Sequence, residues 1–170
     1  MKKRLSLIQM DVHVNEVEYN YARVQELLSQ ALSESPDIIV LPETWNTGFH
    51  PSKDLINISD RNGERTKALL STFAKEHNVN IVGGSVAVAK EDLVFNTSYA
   101  YNREGTLVGE YSKMHGFSPA KEDQYFASGT HTTHFELDGI PCSTVICYDI
   151  RFPELVRMAA LSNTELLFVP

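Results

Sequence analysis

Ile38-Ile39-Val40-Leu41-Pro42-Glu43 is an unbroken apolar run closed by a proline and a carboxylate. With no polar residue alternating through it, the run reads as a strand buried on both faces, as in a parallel sheet. Leu5 to Met10 reads as an earlier strand. Between the two, Asn15 with Glu18 three residues later is a capping-box signal. Val17, Tyr21, Val24, Leu28 and Ala31 then recur at helical spacing, so one face of that helix is expected to be buried. Pro36 and Asp37 end it. Strand, helix, strand is the start of a βαβ unit and puts the chain in the α/β class.

The pattern continues in both forms. Leu69, Leu70, Phe73 and Ala74 predict a second helix ending near Asn78, which feeds a strand from Asn80 to Val88. Leu93 to Tyr101 and Thr106 to Tyr111 follow, joined by an Arg103-Glu104-Gly105 turn, so local antiparallel pairing is expected. Lys113 to Thr130 holds no sustained period and reads as a long, functional loop. Phe135 to Leu137, the Asp138-Gly139 turn and Ile140 to Cys147 make another hairpin. A helix with Pro153 in its first turn runs to Ser162, and Glu165 to Val169 is the last strand pattern. On this reading Cys142 and Cys147 share a strand and face opposite sides of it, a poor geometry for a disulfide.

Bulk properties narrow the function classes. The 170 residues carry 15 basic and 22 acidic side chains, a net charge of −7, which leaves no electrostatic footprint for nucleic acid or an anionic membrane. A small-molecule or protein partner is expected instead. No apolar run is long enough to span a bilayer, and Leu5 to Met10 is too short for the core of a signal peptide. With only two cysteines the expected compartment is the reducing cytoplasm.

Three strand ends each carry one reactive side chain: Glu43 after Leu41-Pro42, Lys113 after Tyr111-Ser112, and Cys147 after Val145-Ile146. Ligands of open α/β sheets bind at the carboxyl ends of strands, so these three can converge on one pocket. Singly, each has a plainer reading. Glu43 alone reads as a helix cap or solvated charge, Lys113 as a surface lysine, and Cys147 as a small core hydrophobe. Cys147 also precedes Tyr148-Asp149-Ile150-Arg151-Phe152-Pro153, a strand-to-helix turn that can lift a nucleophile and aim main-chain N–H groups beside it. Asp149 and Arg151 are expected to brace that turn as an ion pair. Trp45, Phe49 and Tyr148 are aromatic residues that either wall the pocket or pack the core. The six histidines are scattered, no metal-ligand spacing is present, and no cofactor is expected. His115 is a weaker candidate base for the thiol.

Taken together, Leu41-Pro42-Glu43, Tyr111-Ser112-Lys113-Met114-His115 and Ile146-Cys147-Tyr148-Asp149-Ile150-Arg151-Phe152-Pro153-Glu154-Leu155 resemble, in order and flanks, the three signature segments of the nitrilase superfamily of carbon–nitrogen hydrolases. Phe95-Asn96-Thr97 and the Arg103-Glu104-Gly105 turn are similar to the family pattern too. The resemblance spans essentially the whole chain and is nearest to the amidase branch that contains the ω-amidases. It implies a four-layer α-β-β-α sandwich with mixed sheets, of which residues 1–170 would be the N-terminal portion, without the C-terminal strands. It implies a catalytic Glu43, Lys113 and Cys147, with Glu122 as the family's second glutamate and the Tyr148 main-chain N–H as an oxyanion donor. It implies hydrolysis of a small linear amide, such as a dicarboxylic acid monoamide, through a cysteine thioester with release of ammonia, in a homodimer or larger homo-oligomer. A non-catalytic binding or regulatory protein on the same fold, and an acyltransferase using the same thioester, are the alternatives.

Overall fold

The computed structural model describes residues 2–49 and 53–170. Strand β1 (Leu5–Leu7), helix α1 (Val17–Ala31) and strand β2 (Ile38–Val40) form the expected opening unit. A single-turn helix α2 (Leu55–Ile58) and a two-residue strand β3 (Asp60–Arg61) precede helix α3 (Glu64–His77). Strands β4 (Asn80–Val82), β5 (Val86–Lys90), β6 (Leu93–Tyr101) and β7 (Leu107–Ser112) then complete a seven-stranded mixed sheet. In it β1, β2 and β4 are parallel, with Leu5 opposite Ile38 and Ile38 opposite Asn80. The strand β6 runs antiparallel to β4, β5 and β7.

A second, three-stranded sheet contains β8 (His134–Leu137), β9 (Ile140–Thr144) and β10 (Leu166–Phe168). The pair β9 and β10 is parallel, linked by helix α4 (Pro153–Leu161). This arrangement explains the unbroken apolar run at Ile38 to Leu41, because both faces of the large sheet are covered. Ile39 and Leu41 pack with Ile81, Tyr99 and Tyr101 against Tyr21, Val24 and Leu28 of α1 and Leu70, Phe73 and Ala74 of α3. On the other face, Ile38, Val40, Val82 and Ala100 meet Phe135, Leu137, Cys142 and Phe168 of the second sheet. The buried residues of α4, Leu155 and Ala159, lie outside that inter-sheet cluster, which makes α4 the outer fourth layer. The expected α-β-β-α sandwich is therefore present.

Arg103 clamps the two sheets at one edge. Its guanidinium bonds Asp37 beside β2, Asp138 in the turn between β8 and β9, and the Asn78 carbonyl at the end of α3. The Arg103 guanidinium beside Asp138, joined by the Lys3 ammonium, holds that carboxyl well below the usual carboxylate range.

Three local expectations are corrected. Helix α1 starts from Glu16 with no side-chain cap, and Asn15 sits in the left-handed region at φ 64°. Glu18 is drawn instead to Arg65, whose guanidinium it meets at 2.5 and 2.8 Å, so a tertiary ion pair displaces the local capping box. The strand expected from Asn80 to Val88 is two strands, because the chain bends at Gly83-Gly84-Ser85. Finally, Cys142 and Cys147 do not share a strand: β9 stops at Thr144, and Cys147 opens a 3-10 turn, Cys147–Arg151. Both thiols are free. The elements α2 and β3 had no periodicity to announce them, each spanning about a single repeat of its pattern.

The bend at Gly84 seats the segment that follows β2. Gly84 has φ +60°, and a Cβ there would lie 2.0 Å from the Pro42 carbonyl oxygen and 2.5 Å from that of Leu41. Only glycine fits both the conformation and the approach. From this bend the Ser85 N–H donates to the Pro42 carbonyl, the Ser85 hydroxyl accepts from Thr44 N–H, and the Trp45 indole donates to the Gly83 carbonyl. Gly84→Ala is expected to destabilise the protein by at least about 2 kcal/mol, from φ strain compounded by a backbone clash that no side-chain rotation relieves. Urea denaturation of the variant beside the wild type measures this.

Candidate active site

Glu43 leaves the end of β2 on the segment pinned by the Gly83-Gly84-Ser85 bend. Lys113 follows β7 directly, and its N–H continues the ladder to the Asn96 carbonyl at 2.9 Å. Glu122 comes from a 3-10 turn, Glu122–Gln124, inside the long loop. These three side chains meet. The Lys113 ammonium donates to Glu43 Oε1 at 2.8 Å and to Glu122 Oε1 and Oε2 at 2.9 and 2.8 Å. The side chains of Lys113 and Glu122 are only 3% and 2% exposed, and that of Glu43 is 13% exposed. Burying a lysine lowers its pKa on its own, yet the Glu43 and Glu122 carboxylates outweigh the burial and hold Lys113 above its ordinary value. It is a cation locked between two anions. Glu122 Oε2 also accepts the Phe117 main-chain N–H at 2.7 Å.

The nucleophile candidate approaches from the second sheet. The parallel pairing of β9 with β10 runs on past the strand ends, through Val145 N–H to the Phe168 carbonyl and Cys147 N–H to the Pro170 carbonyl. At Cys147 the backbone turns into the left-handed region, φ 45°, which lifts the side chain out of the sheet direction. Tyr148 follows in the first turn of the 3-10 helix, where main-chain N–H groups have no partner within the helix. The Cys147 thiol is half-buried, with the Glu43 carboxylate near enough to act on it electrostatically. Burial, and then the negative charge of Glu43, push the thiol up to about 11, with Lys113 opposing. At neutral pH the sulfur therefore rests as a thiol, and attack requires a base in contact with it.

Asp149 fastens this turn, though with partners other than Arg151. Fully buried, it accepts the Tyr111 hydroxyl at 2.7 Å, the Ile146 N–H at 3.0 Å, and both the N–H and Nδ1 of His115 at 2.9 and 2.8 Å. Arg151 is exposed. The expected Asp149–Arg151 brace is thus replaced by one that joins the Cys147 turn to the Lys113 loop. His115 is occupied on Asp149 and stacked on Phe152 at 3.6 Å between centroids. That argues against it as the thiol's base. His131 and His134, read as scattered, bond Thr130 and Ser143 respectively.

The aromatic residues divide. Trp45 is wholly buried, edge-on to Tyr21, and belongs to the helix-side core. Tyr148 packs edge-on to Phe117 and Phe152, and Phe117 touches Phe49, so those rings line the approach between the Lys113 loop and the Cys147 turn. Sequence reasoning gave no role to Asn96, Tyr111, Phe117 or Phe152. The available signals were the likeness of Phe95-Asn96-Thr97 to the family pattern and the nearness of Tyr111 and Phe117 to Lys113 and of Phe152 to Cys147 in sequence. A surface cavity of about 630 Å³ lies elsewhere, between the start of α1 and the Asn57 to Arg65 segment. A cavity of about 50 Å³ abuts Asn96, Lys113 and Glu122. Chemically, the cluster offers a thiol, a carboxylate in contact with it, and a fixed cation, the parts that acyl transfer requires. Among the described residues, no group of three or more His, Cys, Asp or Glu side chains is placed to hold a metal ion, and no helix is long and apolar enough to cross a membrane.

Comparison with known proteins gives the family. The chain is 37% identical to 2-oxoglutaramate amidase of Bacillus subtilis over 169 residues, covering 99% of this chain and 64% of that protein. It is 30% identical to an omega-amidase of Danio rerio, covering 99% of this chain and 63% of the other. The chain thus spans somewhat under two thirds of the length of these curated relatives. In structure it is similar to the NitN amidase of a Nesterenkonia species, with a TM-score of 0.88 at 22% identity over 99% of this chain and 66% of that one, a likeness of fold. The family model for carbon-nitrogen hydrolases matches residues 4–170, and the chain belongs to that family.

Proposed function

We propose that the protein hydrolyses a small linear amide through a thioester on Cys147. The observation that carries this reading is the Lys113 ammonium held between Glu43 and Glu122, with the Cys147 thiol beside Glu43. Glu43 takes the thiol proton as sulfur attacks the amide carbonyl. Lys113 and the Tyr148 N–H receive the oxyanion that forms. When the carbon–nitrogen bond breaks, Glu43 returns its proton to the leaving nitrogen, and ammonia departs. Water, deprotonated by Glu43, then attacks the thioester; the acid leaves and the Cys147 sulfur is reprotonated. Glu122 keeps Lys113 charged and aimed. Each role falls to a side chain or a main-chain group of this chain.

The relatives suggest the acyl group. One of them is named for 2-oxoglutaramate, and a dicarboxylic acid monoamide of that kind is the substrate class we assign. The same proposal places the protein in the cytoplasm, where free Cys142 and Cys147 stay reduced, and makes it a homodimer or larger homo-oligomer, as the family resemblance implies.

Three measurements test the reading. Brief incubation with a dicarboxylic monoamide is expected to add the mass of the acyl group to the intact protein, and Cys147→Ala is expected to show no adduct. Failure of the wild type to form an adduct with, or turn over, any amide would sink the proposal. Lys113→Ala is expected to lower kcat/KM by about 10²–10³-fold through the lost oxyanion donor. It should also cost about 3–5 kcal/mol in urea unfolding, because two carboxylates lose their shared counter-charge. The third concerns alkaline pH. Cys142 and Cys147 are both raised by burial, from an ordinary 9.0 to about 11. A raised pKa stabilises the fold below the unfolded value and gives that stability up as pH climbs through the folded one. The urea midpoint is therefore expected to fall between pH 9 and 11, and to fall less steeply in Cys147→Ala.

A further inference from the structure

Asn96 lies in β6 with 1% of its surface exposed, and its side chain points at the charged cluster. Its Nδ2 donates to Glu43 Oε1 at 3.0 Å and to Glu122 Oε1 at 3.1 Å. A primary amide has two N–H bonds, so each carboxylate receives one. The flipped amide would set Oδ1 against two carboxylate oxygens, which fixes the orientation. Meanwhile Oδ1 has no hydrogen-bond partner among the described residues. A buried acceptor left unpaired is a cost that packing alone gives no reason to keep. Asn96 is held by its donor end, on the two carboxylates.

The bonds to Glu43 are unevenly spread. Oε1 accepts both the Lys113 ammonium and the Asn96 amide, and an oxygen of a carboxylate has two lone-pair sites. That fills Oε1. We infer that Asn96 is a positioning residue for the reaction: with Lys113 it saturates Glu43 Oε1, so that Oε2 is the oxygen presented to the Cys147 thiol. The inference rests on Glu43 serving as the base. The charged and titratable groups around that carboxylate are Lys113 at the end of β7, Glu122 in the loop, and Cys147 from the second sheet. Asn96 is the neutral donor among them. It links the two anions without adding charge. Losing it frees the Glu43 carboxylate to rotate, so that Oε2 is no longer held toward the thiol.

The test reads Cys147 directly and needs no amide turnover. The rate of Cys147 alkylation by iodoacetamide is followed by intact mass from about pH 4 to about pH 9, across the ordinary carboxylate and thiol ranges. The wild type is compared with Asn96→Leu, which keeps the volume and removes both donors, and with Asn96→Ser, which keeps one hydroxyl. Cys147→Ala corrects for reaction at Cys142. In the wild type, base assistance gives the alkylation profile an acid limb. Asn96→Leu is expected to flatten that limb and slow alkylation at neutral pH about tenfold, a fraction of what a positioned base supplies. Asn96→Ser should show a smaller change of the same sign. A folded variant of either kind with the wild-type limb and rate overturns the inference, whatever its melting temperature. A wild type without any acid limb overturns the reading of Glu43 as base, and this inference with it. Absence of amide turnover beside a limb that flattens in Asn96→Leu leaves the inference standing and counts against the amidase reading alone.

Discussion

Everything at this site depends on keeping one buried ammonium between two buried carboxylates. Unpaired, any of these charges would cost several kcal/mol to bury; paired and fully hydrogen-bonded, the set is tolerable. That condition is demanding, because Glu43, Lys113 and Glu122 come from three separated segments. Lys113 is 70 residues from Glu43 in sequence and has to reach it within hydrogen-bond distance. The fold meets the condition by ending β2 and β7 at the same edge region and letting the loop after β7 fold back through a 3-10 turn. Glu122 is then tied from both sides, by Lys113 and by the Phe117 N–H. The backbone that carries Glu43 is tied by the glycine bend at Gly83-Gly84.

Cys147 is subject to the opposite requirement. The cluster next to it carries one positive and two negative charges, so the environment discourages a further anion and the sulfur stays protonated. A resting thiol in contact with a carboxylate is a different device from a preformed thiolate: the proton moves only when the carbonyl arrives. The turn that presents the thiol holds it in left-handed backbone, and such conformations persist only where the surroundings over-determine them. Here Asp149 does so, gathering donors from Tyr111, His115 and Ile146. Because Tyr111 and His115 flank Lys113, the same carboxylate fixes the nucleophile's turn relative to the lysine. The two halves of the site, one from each sheet, are therefore registered by a single buried residue.

The two sheets themselves are held together by ordinary apolar packing, with Ile38, Val40 and Val82 facing Phe135, Leu137 and Phe168. This face is why β2 reads as a continuous apolar run, and it sets the spacing between the Glu43 and Cys147 backbones. At the sheet edge, Arg103 adds a charged clamp to Asp37 and Asp138. Sheet packing, clamp and Asp149 network act on the same relation, the placement of the second sheet over the ends of β2 and β7.

The sequence by itself determined the α/β class, the positions of most helices and strands, and the three reactive side chains at strand ends. These follow from local rules: apolar periodicity, turn residues, and the length of a run. Tertiary structure decided what those rules cannot see. Glu18 abandoned its cap for Arg65 47 residues away, Asp149 took Tyr111 and His115 in place of Arg151, and the strand at Asn80 broke at Gly84 to make room for the Pro42 carbonyl. Trp45 went to the core, while Asn96, inconspicuous in a strand, came to bridge two carboxylates. The physical reason is common to all of them. Periodicity reports how much of a side chain is buried, whereas the partner of a buried polar group is whichever donor or acceptor the fold carries to it, from any distance along the chain.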